Sequence, residues 1–130
     1  MRVLALDYGL ARTGVAVSDP TGTVARPLGV VRRAATERGL AELASLARSE
    51  AAERIVVGLP ITLRGQRGEQ AEETERFVEA LRAAVDLPVE TFDERFTTKL
   101  ARGPGQAPED ARAAAHLLTT YLEWRTTSRT

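Results

Sequence analysis

Short apolar runs and longer amphipathic stretches alternate along this chain. The short runs are rich in strand-forming residues and are bounded by turn residues such as Gly, Pro and Asp. They predict five strands, over residues 2–7, 13–18, 26–31, 54–59 and 87–92. In the longer stretches, apolar residues recur at steps of three and four, as on one face of a helix. This spacing predicts three helices, over residues 36–53, residues 69–85 and from residue 108 to about residue 124.

The predicted order, β-β-β-α-β-α-β-α, indicates a mixed α/β domain. Short turns join the first three strands, so we expect these strands to form an antiparallel meander. The run at residues 54–59 (RIVVGL) is apolar throughout, which is typical of a parallel strand buried on both faces. Helical crossovers then connect the later strands. We expect a five-stranded mixed sheet with helices on both faces, in one domain over residues 1–125, followed by a frayed tail at 126–130.

Composition narrows the class of protein. The chain has 130 residues, of which 43% are hydrophobic and 28% charged, which suits one globular domain with a single core. Because it has no cysteine, disulfides, thiolate metal ligands and a thiol nucleophile are excluded. It has no run of about 18 apolar residues, so we expect no membrane partner. The opening residues MRVLALDYG are unlike a signal peptide, and we expect a cytoplasmic protein.

Charge does not mark the chain as a simple polycation. Its 18 basic and 18 acidic residues cancel, which argues against non-specific coating of nucleic acid but leaves room for a local basic groove. Arginine supplies all the basic residues except Lys99. The arginine fork suits phosphate well, although an Arg-rich and Ala-rich genome would give the same bias.

Acidic residues stand where strands end and where the last helix begins. Asp7 ends the first predicted strand, the Asp93-Glu94 pair follows the last one, and Asp110 lies in the first turn of the final helix. Ligands of α/β sheets collect outside the carboxyl ends of the strands, so these acids could share one site. Clustered carboxylates repel one another, and Mg²⁺ or Mn²⁺ relieves that repulsion. Two such ions can clamp the attacking and leaving oxygens of a phosphodiester.

Each acid also has an ordinary structural interpretation. Asp7 could serve the turn that follows it, Asp110 could complement the helix dipole, and the Asp93-Glu94 pair could be solvated in a loop. Neighbouring strand residues point to opposite faces, so only one acid of the pair shares the face of Val89. Parity assigns that position to Asp93 if the strand extends so far, and both acids stay candidates.

The loops offer candidate phosphate contacts. Gly9 and Gly14 flank the first loop and would let its backbone approach a phosphate, although a hairpin turn needs glycine in any case. Arg64 and Arg67 in the loop after residue 60 could grip a phosphate backbone or could simply be solvated.

Four blocks of sequence, in order along almost the whole chain, match a known pattern. They are LDYG at 6–9 with RTGVAVSD at 12–19; IVVGLP at 55–60 with Gly65 and Gln70-Ala71; DERFTT at 93–98; and Asp110 with Ala113-Ala114, Leu118, Tyr121 and Leu122. Together these blocks resemble the YqgF/RuvX family of RNase H-like proteins, which are described as pre-16S rRNA nucleases or Holliday-junction resolvases.

This resemblance implies an RNase H-like fold and a hydrolase, a metal-dependent nuclease. It implies that Asp7, the Asp93/Glu94 position and Asp110 are catalytic and bind Mg²⁺ or Mn²⁺. The implied role is cytoplasmic cleavage of structured RNA at the 5′ end of the 16S rRNA precursor, a step of ribosome biogenesis. Metal-activated water would attack the phosphodiester and leave a 3′-hydroxyl and a 5′-phosphate.

Four further residues are predicted to contact the nucleic-acid backbone. They are Arg12 and Thr13 in the first loop, Arg64 in the central loop, and Arg95 in the third block. The chain departs from the family between that block and Asp110. Only 15 residues, 95–109, intervene, with Lys99 and Arg102 the only basic residues after Arg95, and Gly103-Pro104-Gly105 replaces the basic run of typical members.

Other functions remain compatible with the same residues. Cleavage of branched DNA at a four-way junction would require symmetric cuts and therefore a two-fold homodimer. A binding module in ribosome assembly would use the same fold without turnover, and the short basic segment favours this alternative. A phosphotransferase is disfavoured, because enzymes with this hairpin bind nucleotide between two such domains and 130 residues supply one.

Overall fold

The structure, a computed structural model, describes residues 1–60, 68–93 and 109–128. Within these ranges the strands are β1 (Val3–Asp7), β2 (Arg12–Ser18), β3 (Ala25–Arg32), β4 (Arg54–Leu59) and β5 (Val89–Asp93). The helices are α1 (Glu37–Ser49), α2 (Glu69–Ala84) and α3 (Glu109–Ser128). The predicted order of elements is confirmed, and so is the mixed α/β class.

All five strands form one sheet in the order β3-β2-β1-β4-β5. The three N-terminal strands pair antiparallel, as the meander predicts, whereas β4 pairs parallel with both β1 and β5. The parallel pairs place the carboxyl ends of β1, β4 and β5 at one edge of the sheet. Asp7 and Asp93 are the last residues of two of these strands, so both acids lie at this edge.

Strand alternation sends side chains into two separate cores. On one side, Leu4, Leu6 and Val57 pack with α1 and α2; we call this side the α1/α2 face. On the other side, Val3 and Ala5 pack beneath α3; we call this side the α3 face. Complete burial of a Leu or Val side chain contributes about 1.5–3 kcal/mol, so the cores on both sides of the sheet stabilise the fold.

Helix boundaries differ from the prediction where local geometry overrides periodicity. α1 begins after Thr36, whose Oγ1 accepts a hydrogen bond from the Gly39 N–H at 3.1 Å, the usual arrangement of a helix N-cap. It ends at Ser49 rather than at residue 53. Ala51 adopts a φ of 53°, in the left-handed region, which a right-handed helix cannot pass through.

The last helix is longer at its C-terminal end than its apolar spacing indicates. α3 continues to Ser128, and the Thr126 hydroxyl donates to the Leu122 carbonyl at 2.9 Å. The prediction of an end near residue 124 was therefore wrong, and residues 126–128 of the expected tail are helical. Pro108 and residues 129–130 lie outside the described residues. None of the helices described is both long enough and apolar enough to cross a membrane.

Candidate metal and nucleic-acid site

Asp7 occupies the carboxyl end of β1 on the α3 face. It pairs with Gly14 of β2 in the antiparallel register. Val3 and Ala5 precede it at two-residue steps and both face α3, so alternation directs the Asp7 side chain to the same side. The residue is partly exposed. Solvent and ligands can therefore reach this carboxylate at the edge of the sheet.

Gly14 brings Asp110 beside Asp7. A Cβ placed on Gly14 would lie 1.8 Å from the backbone oxygen of Asp110, so only a residue without a side chain allows α3 to approach β2 this closely. Because Gly14 is also the pairing partner of Asp7, the first turn of α3 sits next to the end of β1. The two predicted acids, 103 positions apart in the sequence, thus share one face and one edge. Gly14 lies within β2, and close helix packing accounts for it without a phosphate contact in the loop.

Among the described residues, Arg12 places a basic side chain beside Asp110. Its Nε lies 3.4 Å from Oδ2 of Asp110, and the two side chains are 58% and 37% exposed. Such an exposed pair contributes little to stability, about 0–1 kcal/mol. The guanidinium of Arg12 is exposed, and its contact with a phosphate group stays a prediction.

Thr13 has a different environment from Arg12. Its side chain is completely buried, and its hydroxyl lies 3.4 Å from both the N–H and the carbonyl oxygen of Gly9. A side chain with no exposed surface does not touch a ligand in this conformation. Thr13 instead ties the two ends of the β1–β2 turn together and thereby positions Arg12.

Asp93 lies on the opposite side of the sheet from Asp7. Val89 belongs to the core under α1 and α2, and Phe92 belongs to the core under α3. Alternation then directs Asp93, like Val89, to the α1/α2 face. The strand extends to Asp93, as the choice of Asp93 by parity requires, but the face that alternation assigns to it is not the face of Asp7 and Asp110.

The remaining predicted site residues, Arg64, Glu94 and Arg95, lie outside the described residues. Among the residues that are described, no three acidic or histidine side chains lie close enough together to hold a metal ion. The structure therefore brings together Asp7, Asp110 and Arg12. Carboxylate oxygens are the donors that Mg²⁺ and Mn²⁺ prefer, so the acids that meet at Gly14 fit a divalent cation as part of its ligand set.

Tyr8 anchors the hairpin that carries Arg12. Its ring stacks on Phe77 of α2, with centroids 4.3 Å apart and planes at 15°. Burial raises the pKa of the Tyr8 hydroxyl, and the nearby charge of Glu73 adds to this effect while Arg76 opposes it. The Tyr8 hydroxyl is therefore protonated and uncharged at neutral pH. The stacking partner of Tyr8 is 69 positions away, so no local pattern in the sequence indicates this contact.

A polar network holds α3 over the sheet. Arg54 of β4 donates to Glu90 Oε1 of β5 at 3.0 Å, and the Tyr121 hydroxyl of α3 donates to the same oxygen. Arg125 in turn donates to the Tyr121 hydroxyl at 3.2 Å. Burial raises the pKa of Tyr121, and its hydrogen bond to Glu90 raises it further. The network fixes the middle of the helix whose first turn carries Asp110.

Comparisons with known proteins show the family of this chain. The family model RuvX, described as Holliday junction resolvase, matches residues 1–124. A protein of Chloroflexus aurantiacus named "Putative pre-16S rRNA nuclease" is 41% identical, over 95% of this chain and 87% of its own length. One of Desulforudis audaxviator with the same name is 37% identical over 99% of both chains.

Among solved structures, the fold is similar to that of RuvC from Thermus thermophilus. RuvC in complex with a Holliday junction substrate superposes with a TM-score of 0.67 at 18% identity, over 97% of this chain and 96% of RuvC. A second T. thermophilus RuvC structure gives a TM-score of 0.65 at 19% identity, over 98% and 97% of the two chains. The RNase H-like fold expected from the sequence is thus confirmed. With the family model matching nearly the whole sequence and relatives of about 40% identity along its length, the chain belongs to the RuvX family.

Proposed function

We propose that this protein is a metal-dependent nuclease that hydrolyses phosphodiester bonds at the 5′ end of the 16S rRNA precursor. One observation carries the proposal: Gly14 lets the first turn of α3 pack beside the end of β1, so that Asp7 and Asp110 share one partly exposed edge. We infer the substrate from the names of the relatives, which refer to pre-16S rRNA. Such a role would be cytoplasmic.

The residues of the site have separate roles in this mechanism. Asp7 and Asp110 would hold Mg²⁺ or Mn²⁺ together with a third acid. The bound cation would stabilise charge on the phosphoryl oxygens and lower the pKa of the attacking water. Arg12 moves from Asp110 to a phosphate oxygen and orients the scissile group. The water oxygen bonds to phosphorus, the bond from phosphorus to the 3′ oxygen breaks, and that oxygen takes up a proton to give a 3′-hydroxyl and a 5′-phosphate.

Of the two candidates for the third acid, we favour Glu94. Asp93 is directed to the α1/α2 face, away from Asp7, by the alternation that puts Val89 there. Glu94 is its neighbour in sequence and is the other acid that the sequence offers for this position. We expect Glu94→Gln to abolish cleavage and Asp93→Asn to reduce it only mildly. Arg64 and Arg95 remain candidates for contacts with the nucleic-acid backbone.

Junction cleavage is the second candidate function. The description of the matching family model favours it. It would require a homodimer with two sites related by two-fold symmetry. An RNA-processing nuclease needs no second copy, so sedimentation of the free and the DNA-bound protein separates the two roles.

A cleavage assay with two substrates tests the proposal. A labelled RNA covering the 16S precursor 5′ region and a four-way DNA junction are each incubated with Mn²⁺, Mg²⁺ or EDTA. The variants are Asp7→Asn and, as a matched control, Asp86→Asn. Asp86 is exposed in the connection before β5, at the opposite end of that strand from Asp93.

We expect RNA cleavage that needs the cation, is lost in Asp7→Asn and persists in Asp86→Asn. Junction cleavage with the same dependence would favour the resolvase role. Binding of RNA without cleavage under any condition would contradict the proposal and indicate an assembly factor.

A further inference from the structure

A second basic feature lies along β3, the outer strand on one side of the sheet, and outside the residues assigned above. An open pocket of about 420 Å³ is formed where β3 ends and α1 begins. Its lining residues come from the strand, the connection and the helix: Val30, Arg32, Arg33, Thr36, Arg38 and Glu42. Three arginines and one carboxylate give this pocket, which we call the β3-edge pocket, a net positive charge.

Among the described residues, no carboxylate forms an ion pair with the three arginines of this pocket. Arg12 and Arg26 each lie 3.4 Å from a carboxylate oxygen. In the part of the chain that the structure describes, Arg32, Arg33 and Arg38 are exposed and form no ion pair. Unneutralised guanidinium groups around one concave surface favour an anionic ligand.

Backbone contacts hold the pocket in a fixed shape. The Arg33 carbonyl accepts hydrogen bonds from the Thr36 N–H at 3.0 Å and the Thr36 hydroxyl at 2.7 Å. A Cβ placed on Gly39 would lie 2.3 Å from the same carbonyl oxygen, so the helix packs directly against this connection. Little rearrangement is then needed for a ligand to meet these side chains.

The pocket also adjoins the candidate site. Arg32 is directly opposite Arg12 in the pairing of β2 with β3, and the Arg33 N–H donates to the Ala11 carbonyl at 3.0 Å. Two like charges directly opposite each other on neighbouring strands repel. Asp110 offsets the charge of Arg12, whereas among the described residues no carboxylate pairs with Arg32. A second anion on this side would relieve the repulsion.

We propose that the β3-edge pocket binds phosphate groups of a nucleic-acid strand whose scissile bond lies at Asp7 and Asp110. The inference rests on the proposed function, since it supplies a continuation of that site. A strand would pass from Arg12 to Arg32 and then to Arg33 and Arg38. The contacts are with the backbone, so they add affinity for any sequence. They also provide basic contacts in a chain with few basic residues at 95–109.

The test measures binding without cleavage. Fluorescence anisotropy in EDTA, with the labelled precursor RNA as probe, compares three variants across a salt series. The first is Arg32→Gln with Arg38→Gln. The matched control, Arg48→Gln with Arg76→Gln, changes the net charge equally at exposed helix positions elsewhere. The third, Glu42→Gln, removes the one carboxylate among the described residues that line the pocket.

We expect the pocket double variant to weaken binding roughly tenfold and to reduce the salt-dependence slope by about 1–2, as for the loss of one or two phosphate contacts. The control double variant should stay close to the wild type, and Glu42→Gln should bind more tightly. Equal affinities for the two double variants, or no gain from Glu42→Gln, would overturn the inference.

Failure of this inference is distinguishable from failure of the nuclease proposal. If both double variants bind the RNA equally and cleavage still depends on Asp7, only the proposal for the β3-edge pocket fails. If the pocket double variant alone loses binding and the wild type does not cleave, only the nuclease proposal fails. Inorganic phosphate serves as a separate competitor. At constant ionic strength, phosphate should displace the RNA more readily from the wild type than from the pocket double variant, and equal displacement from both would overturn the inference.

Discussion

Arg12 and Arg26 are exposed arginines in similar ion pairs, so comparing their variants distinguishes an effect on catalysis from an effect on stability. Their side chains are 58% and 59% exposed, and each lies 3.4 Å from a carboxylate oxygen. We expect Arg12→Gln and Arg26→Gln each to lower the free energy of unfolding by at most about 1 kcal/mol. Only Arg12→Gln should reduce the cleavage rate, by roughly one to two orders of magnitude, because it removes charge stabilisation at the scissile phosphate.

Urea unfolding and single-turnover cleavage of both arginine variants check this prediction. A rate for Arg12→Gln equal to that of Arg26→Gln would mean that Arg12 only neutralises Asp110.

Gly14 offers a second residue-scale prediction, with Gly29 as its control. A Cβ on Gly14 would overlap the Asp110 backbone at 1.8 Å, whereas a Cβ on Gly29 would meet nothing within 4 Å. Gly14→Ala must push the start of α3 away from β2. Overpacking of this kind costs about 1–3 kcal/mol. Gly29→Ala, also in the sheet, should be nearly neutral or slightly stabilising.

Thermal unfolding and cleavage measure the two effects of Gly14→Ala together. We expect a lower melting temperature and loss of cleavage, because Asp110 moves from Asp7. A Gly14→Ala variant with wild-type activity would show that the close approach at Gly14 is dispensable for the site.

At the scale of elements, the face on which a residue lies decides its role. Alternation within β5 could be counted from the sequence, and it groups Asp93 with Val89 because the strand extends to Asp93. The count could not say that Val89 faces α1 and α2 while Asp7 faces α3, because that depends on the order of strands in the sheet. The structure supplies this order, and the choice between Asp93 and Glu94 then becomes a definite hypothesis.

The anchoring of α3 gives an element-scale prediction. Tyr121→Phe removes the hydroxyl that donates to Glu90 and accepts from Arg125. We expect a loss of about 1–2 kcal/mol in the free energy of unfolding, since a buried hydrogen bond to a charged group is broken. Tyr8→Phe is the control, because among the described residues the Tyr8 ring packs by stacking and its hydroxyl has no hydrogen-bond partner.

Denaturant titration of the two tyrosine variants provides the measurement. If Tyr8→Phe were as destabilising as Tyr121→Phe, the network around Glu90 would not be what holds α3.

At the scale of the whole molecule, the sequence predicted the fold better than the site. Five apolar runs and three amphipathic stretches gave the element order, because burial imposes a local period on each segment. The close approach at Gly14, the burial of Thr13 and the stacking of Tyr8 on Phe77 arise between distant segments. The local spacing of apolar residues does not indicate such contacts, so the sequence suggested only a loop or turn role for Gly14 and no contact for Tyr8.

The two tyrosines also predict how the stability of the whole molecule varies with pH. The pKa of Tyr8 and that of Tyr121 are both raised, in each case mainly by burial. Below the ordinary tyrosine pKa of about 10, both side chains are protonated in the folded and the unfolded chain. Above it, the unfolded chain loses protons first, so the free energy of unfolding falls as pH rises through the folded pKa values.

Urea titrations between about pH 9 and about pH 11 measure this decline. The double variant Tyr8→Phe with Tyr121→Phe should show a flatter profile over that range. If the double variant had the same pH dependence as the wild type, the loss of stability at alkaline pH would come from groups other than these two tyrosines.

The central claim is that Asp7 and Asp110 act as one site, and a double-mutant cycle on cleavage tests it most directly. Single-turnover rates on the precursor RNA with Mn²⁺ are measured for Asp7→Asn, Asp110→Asn and the variant with both changes. We predict that each single change lowers the rate at least about a hundredfold and that the double variant is no slower than the slower single variant, because either change breaks the same site. Losses that multiply, or a single variant that keeps the wild-type rate, would contradict the claim.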